Sequence, residues 1–257
     1  MSGAPSDHPL EQFVRSLELK VPLSASGRAA VRGLPIRIRT MEAAAYLTRE
    51  GDRPEHCGIL ASGYAYRQKQ TSRGERQIVG LHIPGEALDL QHLFLSEADH
   101  SVQMLTRGEV GMLARSDLQD LVATHSDVAK AIMVAVLIEA SIFREWVLNV
   151  GRRDAKSRIA HLLCEFAIRL RSHGLATGDP YILPITQEQL ADAVGLTPVH
   201  VNRTLKALQA EGFIERDKRT VSFPSWARLR EVADFNQRYL HLPAVQIMAK
   251  PMAAPAR

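Results

Sequence analysis

The stretch TQEQLADAVGLTPVHVNRTLKALQAE, from Thr186 to Glu211, predicts two short helices joined by a tight turn. A threonine hydroxyl can cap the first helix, and Gln189 stands three residues further on, where the partner in a capping box belongs. Gly195 can adopt the left-handed conformation that ends a helix. Thr197 and Pro198 then supply the cap and the first position of the second helix. This order of residues indicates a helix-turn-helix.

The two predicted helices have apolar edges that can pack together. Leu190 and Val194, four residues apart, form the buried edge of the first helix. Val201, Leu205 and Leu208 follow the i, i+4, i+7 spacing of a buried stripe in the second helix. The second helix carries its polar groups near its beginning, which is typical of a helix that enters the major groove of DNA. An ordinary helical hairpin with a solvated face is the alternative.

A wing is predicted after these helices, because FIERDKRTVSF, from Phe213 to Phe223, has two short apolar-polar runs around a polar turn. Between Leu196 and Arg230 there are seven basic and three acidic residues, and this local excess of +4 equals the net charge of the whole chain. Such a concentration of charge fits a double-stranded DNA partner. The expected DNA-contacting residues are Thr186, Thr197, Val199, His200, Asn202, Arg203, Lys206, Arg216, Lys218 and Arg219.

Length and composition allow two domains, since the chain has 257 residues of which 46% are hydrophobic. Its two cysteines, Cys57 and Cys164, exclude a disulfide framework and fit a reducing compartment. The beginning, Met1 to Pro9, is polar and predicts disorder rather than a signal peptide. The most apolar run, Ala131 to Phe143, is interrupted by Glu139 and is not expected to span a membrane. We expect a cytoplasmic protein.

The first half of the chain predicts mostly β-structure. A short helix is expected from Leu10 to Leu19. From about Leu34 to Leu113, short runs of alternating apolar residues are separated by glycine-containing turns, among them Ser62-Gly63 and Pro84-Gly85. Many short strands at regular spacing predict a small antiparallel barrel or roll.

A long helix is predicted from Ser126 to about Val150. One set of its apolar residues keeps the 3–4 spacing of a coiled-coil seam: Met133, Val136, Ala140, Phe143, Val147 and Val150. A second apolar face consists of Ile132, Ile138, Ile142 and Trp146. Packing of the seam onto the protein's own roll is the alternative, but two faces favour one for the roll and one for a second subunit. We expect a homodimer.

The rest of the chain is predicted to be helical around the motif. Asp154 can cap a helix that runs from Ala155 to about Ser172, and a final helix is expected from Trp226 to Tyr239, before a loose end after Leu242. The expected division is a roll over 1–125, a dimerisation helix over 126–150 and a DNA-binding domain over 151–257.

Several short motifs carry a resemblance to a known family. They are Glu50-Gly51-Asp52, Ser62-Gly63, Gly74 with Arg76-Gln77-Ile78, Pro84-Gly85-Glu86, Gly151-Arg152-Arg153, Arg158 to Glu165, and Leu196 to Leu205. Between Glu50 and Phe235 they resemble the Crp/Fnr superfamily of transcription regulators. The resemblance implies an α+β chain with an N-terminal antiparallel β-roll (a double-stranded β-helix) of the cyclic-nucleotide-binding type, a long dimerisation helix and a C-terminal winged helix-turn-helix.

The resemblance does not extend to the effector residues of the best-known members. Where members that bind cyclic AMP carry a ribose-binding glutamate and a phosphate-binding arginine, this chain has Leu90 and His100, and Ser101 alone remains of the phosphate-binding pair. We expect no binding of cyclic AMP, and the effector stays unknown. Members with an iron–sulfur cluster use four cysteines, mostly near the N-terminus, and this chain has none before Cys57.

An alternative of another class is a roll whose primary activity is to bind a ligand, a metal or haem. His82, His92, His100 and Glu86 lie in one stretch, but without the His-x-His spacing of a cupin-type metal site. Cys164 is interpreted as a core residue, with a redox-sensing thiol as the alternative. No nucleophile–base pair or phosphate-binding glycine loop occurs, so we expect no enzyme and no cofactor.

The resemblance also implies how DNA is recognised. The arginine at the position of Arg203 bonds a guanine in the major groove. Four residues earlier, well-known members carry a glutamate, and Val199 replaces it with a side chain that can contact only a thymine methyl. Asn202 is placed to bond adenine. We expect a regulator that binds an inverted-repeat site as a homodimer, with RNA polymerase as a further partner.

Overall fold

The computed structural model describes residues 8–176 and 180–242. The chain forms two compact units, Met1–Ala140 and Ser141–Arg257. Most of the predicted disordered beginning and the predicted loose end after Leu242 lie outside the described residues. Among the described helices, none combines the length and the apolar composition that a membrane crossing requires.

The first unit begins with two helices, α1 (Pro9–Glu18) and α2 (Ala25–Arg32). Eight strands follow: β1 (Ile36–Met41), β2 (Tyr46–Thr48), β3 (His56–Ser62), β4 (Ala65–Gln70), β5 (Arg76–His82), β6 (Ala87–Leu88), β7 (Ser101–Met104) and β8 (Gly108–Ala114). A 3₁₀ turn, Leu90–Leu93, stands between β6 and β7, and α3 (Arg115–Thr124) follows β8. The sequence interpretation missed α2, which Ser24 caps by accepting a hydrogen bond from the Gly27 amide.

The strands form two antiparallel four-stranded sheets, which confirms the predicted roll. Their orders are β1-β8-β3-β6 and β2-β7-β4-β5. Apolar side chains from both sheets form one core inside the roll: Met41, Leu60, Ala65, Leu88, Val102, Met104 and Val110. The turn between β3 and β4 requires glycine, because Gly63 has φ +78° and an added Cβ would lie 2.8 Å from the Arg107 carbonyl oxygen.

Helix α4 (Ser126–Arg152) is the long helix that the sequence predicts. The boundary between the two compact units falls inside it, after Ala140. In the first unit, Ile132 packs against roll residues and Ile138 is buried, whereas Met133 and Leu137 are 63% and 60% exposed. The part of α4 in the first unit therefore uses one apolar face and leaves a second one open.

The second unit contains the helix-turn-helix and its supports. Its elements are α5 (Ala155–Ser172), β9 (Tyr181–Ile182), α6 (Gln187–Val194), α7 (Pro198–Ala210), β10 (Glu215–Asp217), β11 (Thr220–Ser222) and α8 (Trp226–Val232). A small antiparallel sheet has the order β10-β11-β9, of which the sequence interpretation missed only β9. Asp154 caps α5 by accepting from the Ser157 amide, as predicted.

The predicted helix from Trp226 to Tyr239 is wrong in its second half. Helix α8 ends at Val232, and a separate 3₁₀ turn covers Gln237–Leu240. Asp234 has φ +47°, a left-handed conformation that a continuous helix cannot contain.

Buried hydrogen bonds fix the 3₁₀ turn to the rest of the second unit. The Tyr239 hydroxyl donates to Glu165 at 2.9 Å, and the Trp146 indole donates to the same carboxylate at 3.1 Å. Burial raises the pKa of Glu165, against the opposing charge of Arg169. Tyr239 also accepts from His161, whose pKa burial lowers to about 3. The end of α4 and the last described turn are thus tied to α5.

Candidate DNA-binding interface

The first helix of the motif has the predicted cap. The Thr186 hydroxyl accepts from the Gln189 amide at 3.2 Å, and the Gln189 side chain accepts from the Thr186 amide at 3.0 Å. Gly195, with φ +65°, ends α6 in the left-handed conformation. The capping box and the glycine together fix both ends of this helix.

The second helix is also built as the sequence predicts. Thr197 caps α7 by accepting from the His200 amide at 3.3 Å, and Pro198 is its first residue. Val201 and Leu208 are completely buried, and so is Val194 on the facing helix. Since the apolar edges face each other, the polar side of α7 faces outward.

The outward side of α7 forms one wall of an open concave surface. Val199 is 80% exposed, an unusual state for an apolar residue at the start of a helix. Arg203 and Lys206 are exposed and His200 is half-buried on the flank, as predicted. The residues that line the concave surface are Gln187, Pro198, Val199, Asn202, Arg203 and Lys206.

Cations on this side of the unit are available for an anionic partner. Within residues 8–176 and 180–242, no ion pair engages Arg203, Lys206, Lys218 or Arg219. Arg228, by contrast, donates to the Glu211 carbonyl oxygen and lies 4.9 Å from the Phe213 ring centroid. Some of the basic side chains between Leu196 and Arg230 are therefore free of ion pairs, whereas others, such as Arg228, contact the protein itself.

The wing has the predicted two strands, with Lys218 at the turn in a left-handed conformation, φ +53°. Lys218 and Arg219 are exposed. Arg216 is half-buried, and burial lowers its pKa. Its Nε is buried without a hydrogen-bond partner, so Arg216 is less open to a phosphate than the other two cations.

Gln187 lines the concave surface, and the sequence interpretation did not include it. Its side-chain carbonyl accepts a hydrogen bond of 3.0 Å from the Asn202 side-chain amide. An exposed glutamine just after a helix cap has no distinguishing spacing, so the only sequence signal is its place at the start of α6.

A second polar cluster lies in the roll of the first unit. The Arg67 side chain is 3% exposed, donates to Asp89 at 3.0 Å and donates to Glu139 of α4 at 3.0 Å. His100 contacts Asp89 at 2.9 Å and Asp99 at 2.7 Å. These four ionic contacts connect β4, the segment before the 3₁₀ turn, the start of β7 and α4.

The ionisation of the cluster is strongly coupled. Burial would raise the pKa of Asp89, but the His100 hydrogen bond and the Arg67 charge outweigh it and lower that pKa. Burial would lower the pKa of His100, but its hydrogen bond to Asp89 and the charge of Asp89 raise it. We infer a charged His100–Asp89 pair near neutral pH.

His100 should therefore stabilise the roll more at mildly acidic than at alkaline pH. Because its folded pKa is raised, its contribution is complete below the unfolded value near 6.5 and is lost as pH rises through the folded pKa. Asp89 and Asp99 contact His100, and the charge of Arg67, which is bound to Asp89, opposes its protonation. The difference in urea midpoint between the wild type and His100→Gln should shrink from about pH 6 to about pH 9. A difference that stays constant or grows would contradict the charged pair.

The two positions at which a cyclic nucleotide would be expected to bind carry Leu90 and His100. Leu90 is 3% exposed and has no group for a ribose hydroxyl, and His100 is engaged by two carboxylates. The Asp89 and Glu139 carboxylates, both bound to Arg67, would repel an incoming phosphate. Of these two positions, His100 belongs to a protein ion network and Leu90 is a buried apolar residue.

The alternative of a metal or haem site finds no ligand set in the described residues, where no three His, Cys, Asp or Glu side chains are grouped to hold a metal ion. His82 lies 3.3 Å from Glu86, and His92 lies 3.9 Å from Asp89. Burial lowers the pKa of both histidines. They are interior side chains of the roll rather than a cluster aimed at one point.

Both cysteine thiols are buried. Burial raises the pKa of Cys57 to about 12, and it also raises the pKa of Cys164. A thiol with a raised pKa is a poor nucleophile at neutral pH, in contrast to redox-sensing cysteines. The interpretation of Cys164 as a core residue agrees with its environment.

Comparisons with known proteins match both units. The family model for the cyclic nucleotide-binding domain matches residues 38–125, and that for the Crp-like helix-turn-helix domain matches residues 157–232. A roll joined to a capped helix-turn-helix with a wing defines a class of DNA-binding transcription regulators.

Relatives and solved structures are also transcription regulators or share their fold. The transcriptional activator protein FnrL of Cereibacter sphaeroides is 30% identical over 202 residues, 76% of this chain and 79% of that protein. The nitrogen fixation regulation protein FixK of Rhizobium meliloti is 25% identical, over 81% of this chain and 92% of that protein. The structure of FixK2 from Bradyrhizobium japonicum shares the fold with a TM-score of 0.72 at 23% identity, over 77% of this chain and 98% of that one. The chain belongs to the Crp/Fnr family of transcription regulators.

Proposed function

We propose that this regulator binds an inverted-repeat DNA site as a homodimer. The observation that carries the proposal is the outward side of α7, where Arg203 and Lys206 have no ion-pair partner in the described chain and border the concave surface of the motif. In a dimer, two such helices about 34 Å apart would enter successive major grooves.

Exposed apolar residues on α4 support the dimer. Met133 and Leu137 in the first unit are 63% and 60% exposed, and Val147 and Leu148 in the second unit are 69% and 44% exposed. Apolar side chains this open usually mark an interface.

The exposed set only partly overlaps the seam predicted from sequence. Met133 and Val147 belong to both, whereas Val136, Ala140, Phe143 and Val150 are half-buried in the single chain. We therefore place the dimer contact on a face that also includes Leu137 and Leu148, which the 3–4 spacing skipped.

Each half-site is proposed to contain a guanine bound by Arg203. Val199 has no hydrogen-bonding group, and its exposed side chain suits a thymine methyl. Asn202 suits adenine. The wing residues Lys218 and Arg219 are proposed to contact phosphates and so to add affinity without base preference.

Relatives named as transcriptional activators favour activation, and hence RNA polymerase as a partner at the promoter. We propose that the protein acts in the cytoplasm, where its DNA partner would be. The signal that controls binding is not a cyclic nucleotide on this proposal, because the roll has no groups to hold one.

Arg203→Ala should cost about 1–3 kcal/mol of binding free energy and relax the preference at one base pair of each half-site. The reason is the loss of a bidentate contact to guanine. Competition binding against duplexes that carry each of the four bases at every half-site position measures this. Lys206→Ala is the matched control, since a lost phosphate contact should weaken all duplexes equally. If the guanine preference of each half-site survives in Arg203→Ala, α7 is not docked as proposed.

A further inference from the structure

Gln187 and Asn202 face each other across the turn of the motif, each held by a rigid backbone. Gln187 is the first residue of α6, directly after Thr186, which caps the helix. Asn202 lies in the first turns of α7, beside the completely buried Val201. Both side chains line the concave surface together with Arg203. Their hydrogen bond therefore stands where a base edge would be contacted.

The chemistry of this hydrogen bond is directional. Asn202 Nδ2 donates to Gln187 Oε1 at 3.0 Å. In the observed rotamer the Gln187 carbonyl faces Asn202 and accepts, so the nitrogen end of the Asn202 side-chain amide points toward α6. The other N–H of Asn202 and its Oδ1 remain available. One donor beside one acceptor matches the N7 and N6 groups of adenine in the major groove.

We propose that Gln187 is a specificity-determining residue that orients the Asn202 amide toward adenine. The inference rests on the proposed docking of α7 in the major groove and adds a partner residue to it. Gln187 acts through Asn202 and is therefore a positioning residue. Its carbonyl decides whether Asn202 offers a donor–acceptor pair or two donors to the DNA.

The bond is suited to recognition rather than to folding. Gln187 is exposed and Asn202 is half-buried, and a hydrogen bond in such a place contributes little to stability because water replaces it. The capping box and the buried residues of α6 and α7 hold the motif without it. Variants at Gln187 should therefore keep the thermal midpoint of the wild type.

Three substitutions at Gln187 separate the roles of its carbonyl and its size. Gln187→Glu keeps an acceptor, so Asn202 keeps its orientation and adenine stays preferred, while the added negative charge lowers affinity for all duplexes. Gln187→Lys supplies a donor, so Asn202 Oδ1 turns toward α6 and its two N–H groups face the groove. Two donors match the O6 and N7 acceptors of guanine. Gln187→Ala leaves the amide free to adopt either orientation.

The test is competition binding of the full-length protein to duplexes with each base at every half-site position. We expect the adenine-over-guanine ratio at the Asn202 position to fall about tenfold in Gln187→Ala and to invert in Gln187→Lys. Gln187→Glu should retain the wild-type ratio. Asn202→Ala should abolish the preference and make further substitution of Gln187 silent.

Unchanged adenine-over-guanine ratios in both Gln187→Ala and Gln187→Lys would overturn the proposal. It would also be overturned if Gln187→Glu lowered this ratio as much as Gln187→Ala does. Arg203→Ala in the same assay distinguishes a failure of the Gln187 proposal from a failure of the proposed docking of α7. If Arg203→Ala relaxes its guanine and the Gln187 variants change nothing, the docking stands and Asn202 acts alone. If Arg203→Ala also changes no preference, the proposed docking itself fails.

Discussion

Replacing Arg67 with methionine should destabilise the first unit by about 3–5 kcal/mol, the usual result of removing one partner from a buried ion pair. Arg67 and Asp89 have side-chain exposures of 3% and 4%, and Glu139 is 25% exposed. Without the guanidinium, Asp89 keeps the shorter contact to His100 but loses its arginine, and Glu139 loses its cation. Methionine fills similar space, so the loss is one of charge rather than volume.

Hydrogen exchange of the β4 amides measures this effect locally, which matters because two compact units need not unfold together. Arg73→Met is the matched control, since Arg73 is exposed in the turn between β4 and β5. It should change exchange by less than about 0.5 kcal/mol. Equal protection of β4 in Arg67→Met and Arg73→Met would show that the ion network does not hold the roll.

Replacing Val147 with aspartate should convert the proposed dimer to monomers. The side chain is 69% exposed in the single chain, so the charge costs nothing until a partner covers it. A carboxylate buried without a cation in an interface costs several kcal/mol, and the two-fold symmetry of the dimer applies that cost twice. The dissociation constant should rise by about a thousandfold or more.

Sedimentation velocity across a concentration series measures the change. Ile182→Asp is the matched control, because Ile182 is an apolar residue that is 62% exposed in the same unit and lies on β9 rather than on α4. Phe143→Asp, the obvious choice from the sequence, is less informative because Phe143 is already half-buried in the single chain. A Val147→Asp protein that sediments as the wild type would place the dimer contact elsewhere.

Local sequence signals predicted the motif well. Thr186, Asp154 and Gly195 act within a few residues of their own position, so their capping roles follow from spacing alone. The end of the last helix before Asp234 could not be predicted in this way, because no glycine or proline marks it. Helix α2 was missed because few of its residues are strongly apolar.

Interactions between distant parts of the chain could not be predicted. Arg67 meets partners 22 and 72 residues away, and a lone arginine in an alternating strand is ordinarily an exposed residue. The Gln187–Asn202 bond depends on how closely α6 and α7 approach. On α4, the sequence showed two apolar faces but not how far each is covered within a single unit, and so Leu137 and Leu148 were omitted.

The most direct test of the central claim is a fluorescence-anisotropy titration of the full-length protein on DNA across a salt series. The site is first selected from random-sequence duplexes, and a scrambled duplex is the control. Four cations per protomer, Arg203, Lys206, Lys218 and Arg219, have no ion-pair partner in the described residues, and the last three are assigned to phosphates. Six phosphate contacts in a dimer predict a slope of log affinity against log salt of about −5. It also predicts that the selected inverted repeat binds at least about a thousandfold more tightly than the scrambled duplex. Affinity that is independent of salt, or equal for the two duplexes, would contradict sequence-specific DNA binding.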